Sequence, residues 1–109
     1  MPYDERLADR VRTVLARQRG VSERRMFGGL AFLMRGHMVC GVLERDLMVR
    51  VGPEAYEAAL ARPHAREMDF TGRPLKGMVY VDAEGVRTAR QLGVWIERGI
   101  RFIGSLPPR

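Results

Sequence analysis

Few side chains in this sequence have the potential for chemistry, and their spacing decides most of what they can do. The possible metal ligands are His37, Cys40 and His64. His37 and Cys40 stand three apart in an apolar run of strand character. A regular strand would point them to opposite faces, so both reach one ion only across a bulge. No Cys-x-x-Cys or paired-histidine spacing occurs, and no metal centre is expected. Cys40 is the only thiol and lies among apolar residues, where a cysteine behaves as a small buried hydrophobe. Ser22 and Ser105 lack the context of a nucleophile elbow. With no nucleophile, base and orienting group in evident relation, no catalytic residue, cofactor or enzymatic activity is expected.

Seven methionines are present, among them Met26, Met34, Met38, Met48, Met68 and Met78. Their polarizable thioethers suit a soft metal or an adaptable binding surface. They are dispersed and fall mostly on strand-like segments, so adaptable filling of the core is the favoured role.

Basic residues offer a different chemistry. Lysine and arginine total 19 against 13 acidic residues, for a net charge of +6, and every one but Lys76 is arginine. An excess of this kind suits an anionic partner. Arg6, Arg10 and Arg17 fall on one flank of a helical stretch, and Arg66, Arg73 and Lys76 fall in an irregular one. Against this, no run of five or six basic residues occurs, and an ordinary solvated surface explains the same pattern. Gly28-Gly29 lacks the Gly-Lys-Ser/Thr or third glycine of a phosphate loop. A bulge or corner between strands is the better explanation of that pair.

Residues 26–51 organise the elements that must position these groups. They read as three apolar runs split by turns at Arg35-Gly36 and at Glu44-Arg45-Asp46. A three-residue second loop would pair Leu43 with Leu47 and Val39 with Val51. Residues 21–27 lead into this meander. Before it, residues 4–19 form a helix with Leu7, Val11, Val14 and Leu15 on one stripe and Gly20 at its end. After it, residues 53–61 form a short helix with Tyr56, Ala59 and Leu60 on one side. Residues 63–77 show no sustained period, and two readings stand equal: a functional loop carrying Arg66, Arg73 and Lys76, or a covering loop with Met68 and Phe70 at the core edge. Residues 78–81 form a strand. Thr88 and Gln91 match a capping box that opens a helix from about residue 89 to 106. Leu92, Trp95, Ile96, Gly99, Phe102, Ile103 and Leu106 form its apolar stripe, and Gly99 should let it lie close to the sheet.

Three segments carry a family likeness: Met26-Phe27-Gly28-Gly29-Leu30-Ala31-Phe32, Met38-Val39-Cys40-Gly41-Val42, and Leu47-Met48-Val49-Arg50-Val51-Gly52-Pro53-Glu54. Met68-Asp69-Phe70-Thr71-Gly72-Arg73-Pro74, Lys76-Gly77 and Val79-Tyr80-Val81 continue it. In combination they resemble the N-terminal domain of the TfoX/Sxy family over nearly the whole chain. That family is named for bacterial regulators of natural competence, which promote transcription of DNA-uptake genes and carry a second, helical C-terminal domain. The resemblance implies an α+β domain, here standing alone, and supplies no catalytic residues.

The expected fold is therefore α+β: one domain over residues 1–109, with an antiparallel sheet of four or five strands and the N- and C-terminal helices packed on one face. A single cysteine and the absence of any apolar run of membrane-spanning length suit a cytoplasmic protein. The expected function is a small regulatory module acting through protein contacts, with the transcription machinery as the partner that the resemblance implies. Phe27, Gly28, Gly29, Arg73 and Lys76 are its candidate contact residues. One alternative is weak, non-specific nucleic-acid binding through Arg6, Arg10, Arg17 and Arg66. Another is an uncharacterised enzyme or ligand-binding protein with a pocket near Phe27-Gly28-Gly29.

Overall fold

A computed structural model of the chain describes residues 3–26, 28–68, 72 and 75–107. Helix α1 (Glu5–Leu15) leads into strands β1 (Val21–Met26), β2 (Gly29–Met34), β3 (His37–Leu43) and β4 (Asp46–Arg50). Helix α2 (Tyr56–Leu60), strands β5 (Ala65–Glu67) and β6 (Met78–Val81), a 3-10 turn (Ala83–Val86) and helix α3 (Ala89–Ile103) complete the order. The six strands form one antiparallel sheet in the order β1-β2-β3-β4-β6-β5. The architecture is the expected α+β one, with one strand more than expected. The addition is β5, three residues inside the stretch that shows no period. So short a strand, recruited by pairing Ala65 with Val81 and Glu67 with Val79, is too brief for alternation to register.

Both long helices cover one face of the sheet. Leu7, Val11 and Leu15 of α1 and Leu92, Trp95, Ile96 and Ile103 of α3 are buried there against Phe32, Val42, Leu47, Val49, Val79 and Val81. Asp4 caps α1, its Oδ1 accepting from the amides of Arg6 and Leu7 at 2.9 and 3.2 Å. The helix stops at Leu15, short of residue 19. No apolar residue occurs at positions 17–20, so nothing docks another turn on the core. Helix α2 likewise begins three residues later than expected, at Tyr56, whose ring is buried with Ala59. In α3 the capping box forms: Thr88 Oγ1 accepts from the Gln91 amide at 3.1 Å, and Gln91 Oε1 accepts from the Thr88 amide at 2.9 Å. The helix ends at Ile103 rather than Leu106, with Gly104 at its C-cap. Gly99 brings α3 down on β3: a Cβ there would lie 2.7 Å from the Val39 carbonyl oxygen.

The turns set the register. Arg35 and Gly36 both take positive φ, 52° and 84°, closing a two-residue hairpin between Met34 and His37. The second turn is shorter than expected. Leu43 pairs with Asp46 and Val42 with Leu47, so the pairing of Leu43 with Leu47 and of Val39 with Val51 is one residue out. Glu44 takes φ 54°, and its carbonyl accepts the Asp4 amide at 2.7 Å; that local conformation leaves only Glu44 and Arg45 in the loop. The one-residue difference moves Leu43 to the face opposite Leu47. Outer strand β1 carries Glu23, Arg24 and Arg25, all exposed, charges that discourage edge-to-edge pairing.

Candidate functional site: the helix-free face of the sheet

The face without helices is also apolar. Met48, Met68 and Tyr80 are buried on it, with Leu43 and Met78 packed alongside. Strand alternation places them there: Met48 lies between the core residues Leu47 and Val49, and its partner Tyr80 lies between Val79 and Val81. Five methionines, Met26, Met38, Met48, Met68 and Met78, surround a cavity of about 170 Å³ together with Ala31, Leu43 and Leu75. They come from β1, β3, β4, the segment after β5, and β6. Gly41 makes room for them, since a Cβ there would lie 2.6 Å from Met48 Cε. Leu75, 40% exposed, is one of only two large hydrophobic side chains that the described surface leaves open. Arg24 is exposed opposite Ala31 across β1 and β2, and Lys76 is exposed next to Leu75 in the chain. Dispersed in sequence, five methionines gather on one face of the fold, because strands from separate parts of the chain bring them together.

Of the expected contact residues, Phe27 and Arg73 lie outside the described residues, as does Phe70. Gly28 is exposed in the turn between β1 and β2, with φ 80°. Gly29 opens β2 and is buried; a Cβ there would lie 2.6 Å from the Val42 carbonyl oxygen. The glycine pair thus forms a strand corner. Lys76 is exposed next to Leu75.

The four arginines named for nucleic acid go to different places. Arg6 borders a concavity of about 670 Å³ whose rim mixes Asp4, Glu5, Glu44, Arg45 and Asp46. Arg10 donates from Nη2 to the carbonyls of Val86 and Arg87 at 2.7 and 3.1 Å, tying α1 to the 3-10 turn. Arg17 is exposed beyond the end of α1. Arg66 donates to Asp82 at 2.9 Å and to Asp46, and its guanidinium lies 4.6 Å above the Tyr80 ring. Despite Arg66, burial holds the Asp46 carboxyl above its usual range.

The expected separation of His37 and Cys40 does not hold. The register of β2 with β3 runs from Phe32 opposite Cys40 to Leu33 opposite Met38, leaving Val39 as an extra residue. That bulge brings His37 and Cys40 to the helix-covered side. They serve different ends there. His37 Nε2 donates to the Pro107 carbonyl at 2.8 Å. Cys40 is wholly buried, and burial pushes its thiol up to about 12. No group of three or more His, Cys, Asp or Glu side chains that could hold a metal occurs among the described residues. Nor does any helix among them have the length and apolarity to cross a membrane.

The family model of the TfoX N-terminal domain matches residues 13–103, spanning α1 from its ninth residue onward, the whole sheet and α3. No curated protein and no solved structure matches. Coverage of most of the chain, on the α+β architecture described above, establishes the relationship: the chain belongs to the TfoX N-terminal domain family.

Proposed function

We propose that this protein is a regulatory interaction module that acts through protein contacts, and that the methionine-lined face makes them. The observation that carries the reading is the convergence of five methionines and the exposed Leu75 on a sheet face that no helix among the described residues covers. Methionine adapts its shape to varied apolar partners. A cavity of about 170 Å³ is smaller than the roughly 300–1,000 Å³ of typical small-molecule sites, and it suits an inserted apolar side chain. Arg24, opposite the lining residue Ala31, and Lys76, next to Leu75 in the chain, favour a partner with acidic residues beside its apolar anchor. Family membership supports a regulatory role resembling that of competence regulators; the cytoplasm is its proposed setting and the transcription machinery its proposed partner.

Nucleic-acid binding is the second reading, and the net charge of +6 favours it. Its arginines support it poorly, because Arg10 and Arg66 are already engaged within the fold. Any affinity for duplex DNA is therefore expected to be weak, indifferent to sequence and steeply reduced by salt. Titration of labelled duplexes at two salt concentrations tests this. Sub-micromolar, sequence-selective binding at physiological salt would overturn the protein-contact reading.

A further inference from the structure

Another concavity, of about 300 Å³, lies where α3 meets the loop after α2. Arg62, His64, Arg90 and Arg98 line it, and Val94 and Trp95 give it an apolar wall. No carboxylate lines it among the described residues, and no ion pair among them involves Arg62, Arg90 or Arg98. Arg12 and Arg66, by contrast, each hold two carboxylates.

Three local arrangements at this place are unfavourable on their own. Arg98 Nε is buried without a hydrogen-bond partner among the described residues, and the favourable contact of its guanidinium with the Trp95 ring, 5.1 Å from the ring centre, does not supply one. Burial and the charges of Arg62 and Arg101 also hold Arg98 below the ordinary arginine value. Arg90 stands in the first turn of α3, a turn with no acidic residue, at the end of the helix dipole that disfavours a cation. His64 takes φ 69°, a region uncommon outside glycine. An anion in the concavity would relieve the first two by supplying a countercharge. Three guanidiniums match a dianion better than a single carboxylate, and the planar guanidinium fork fits phosphate oxygens.

We propose that this concavity binds the phosphate group of a small phosphomonoester, held by Arg62, Arg90 and Arg98, with Val94 and Trp95 against its organic part. The site is separate from the methionine-lined face and stands whether or not that face binds protein. Trp95 is the only tryptophan, so its fluorescence reports occupancy. The full chain is titrated at constant physiological ionic strength with ribose 5-phosphate, inorganic phosphate, acetate and a short oligothymidylate. The expected result is a saturable response to ribose 5-phosphate, a weaker one to inorganic phosphate and none to acetate. The double substitution Arg62→Ala/Arg90→Ala, at two exposed positions, should weaken the response by at least about tenfold, as loss of charge-assisted hydrogen bonds requires, with the unfolding midpoint retained. Arg98→Lys, which keeps the charge and removes the fork, should weaken it as well. No saturable response to either small phosphate would overturn the proposal, as would binding that survives the double substitution. Equal responses to ester and inorganic phosphate would overturn the role of the apolar wall. A response to the oligothymidylate alone would move the site to nucleic acid.

Discussion

Cys40 shows how a residue with latent reactivity is silenced by its place in the fold. The bulge at Val39 turns it toward the helices, where it has no exposed surface. In the unfolded chain its thiol ionises near the ordinary value of 9.0, whereas in the fold it stays neutral up to about 12. The unfolded state therefore loses its proton first, and stability should fall as the pH rises from about 9 to about 12. The slope contributed by one such group approaches about 1.4 kcal/mol per pH unit. Urea unfolding across that range should show a steeper loss for the native protein than for Cys40→Ala. Native-state labelling by a thiol reagent should be slow and should accelerate only on unfolding. Rapid labelling of the folded chain would contradict the burial. The burial of Cys40 was legible from its apolar neighbours. Its orientation relative to His37 was not, because one extra residue in a strand leaves no mark on hydrophobic alternation.

Among the elements, α3 has the clearest physical basis. Its capping box fixes the start, and its apolar stripe places Trp95, Ile96 and Ile103 in the core. Replacing Trp95 by Ala should cost about 3–5 kcal/mol, the range for a large aromatic lost from a core. A cost below about 1 kcal/mol would mean the helix faces another way. Gly99→Ala tests the close approach to β3. Helix propensity alone favours Ala by roughly 1 kcal/mol, yet the added Cβ meets the Val39 carbonyl at 2.7 Å. Net destabilisation of about 1–3 kcal/mol is expected, the usual cost of overpacking, and urea unfolding measures it. These features were readable because a cap and a 3.6-residue stripe are local. Strand β5 and the pairing of β3 with β4 depended on contacts distant in sequence or on one residue's backbone: β5 exists by pairing with β6, and the shorter turn follows from the left-handed conformation of Glu44 and its bond to Asp4.

At the scale of the whole molecule, the sheet has two apolar faces, and the helices of the described residues lie on only one. The covered face holds the core; the other gathers five methionines around a small cavity. The composition announced the methionines but not their convergence, since Met26, Met38, Met48, Met68 and Met78 come from five separate segments. The arginine-lined concavity was hidden for the same reason: Arg62 and His64 meet Arg90 and Arg98 only through the docking of the loop after α2 beside α3. If the methionine-lined face is where this module meets its protein partner, a photo-crosslinking residue at Leu75 should capture that partner in cells. The same residue at Ala58, exposed on α2, should not. The expected result is a discrete cross-linked species from position 75, lost when Met38→Asp places a charge at the cavity in a chain that remains folded. Absence of any product from position 75, or an equal product from position 58, would contradict the assignment of this face as the contact surface.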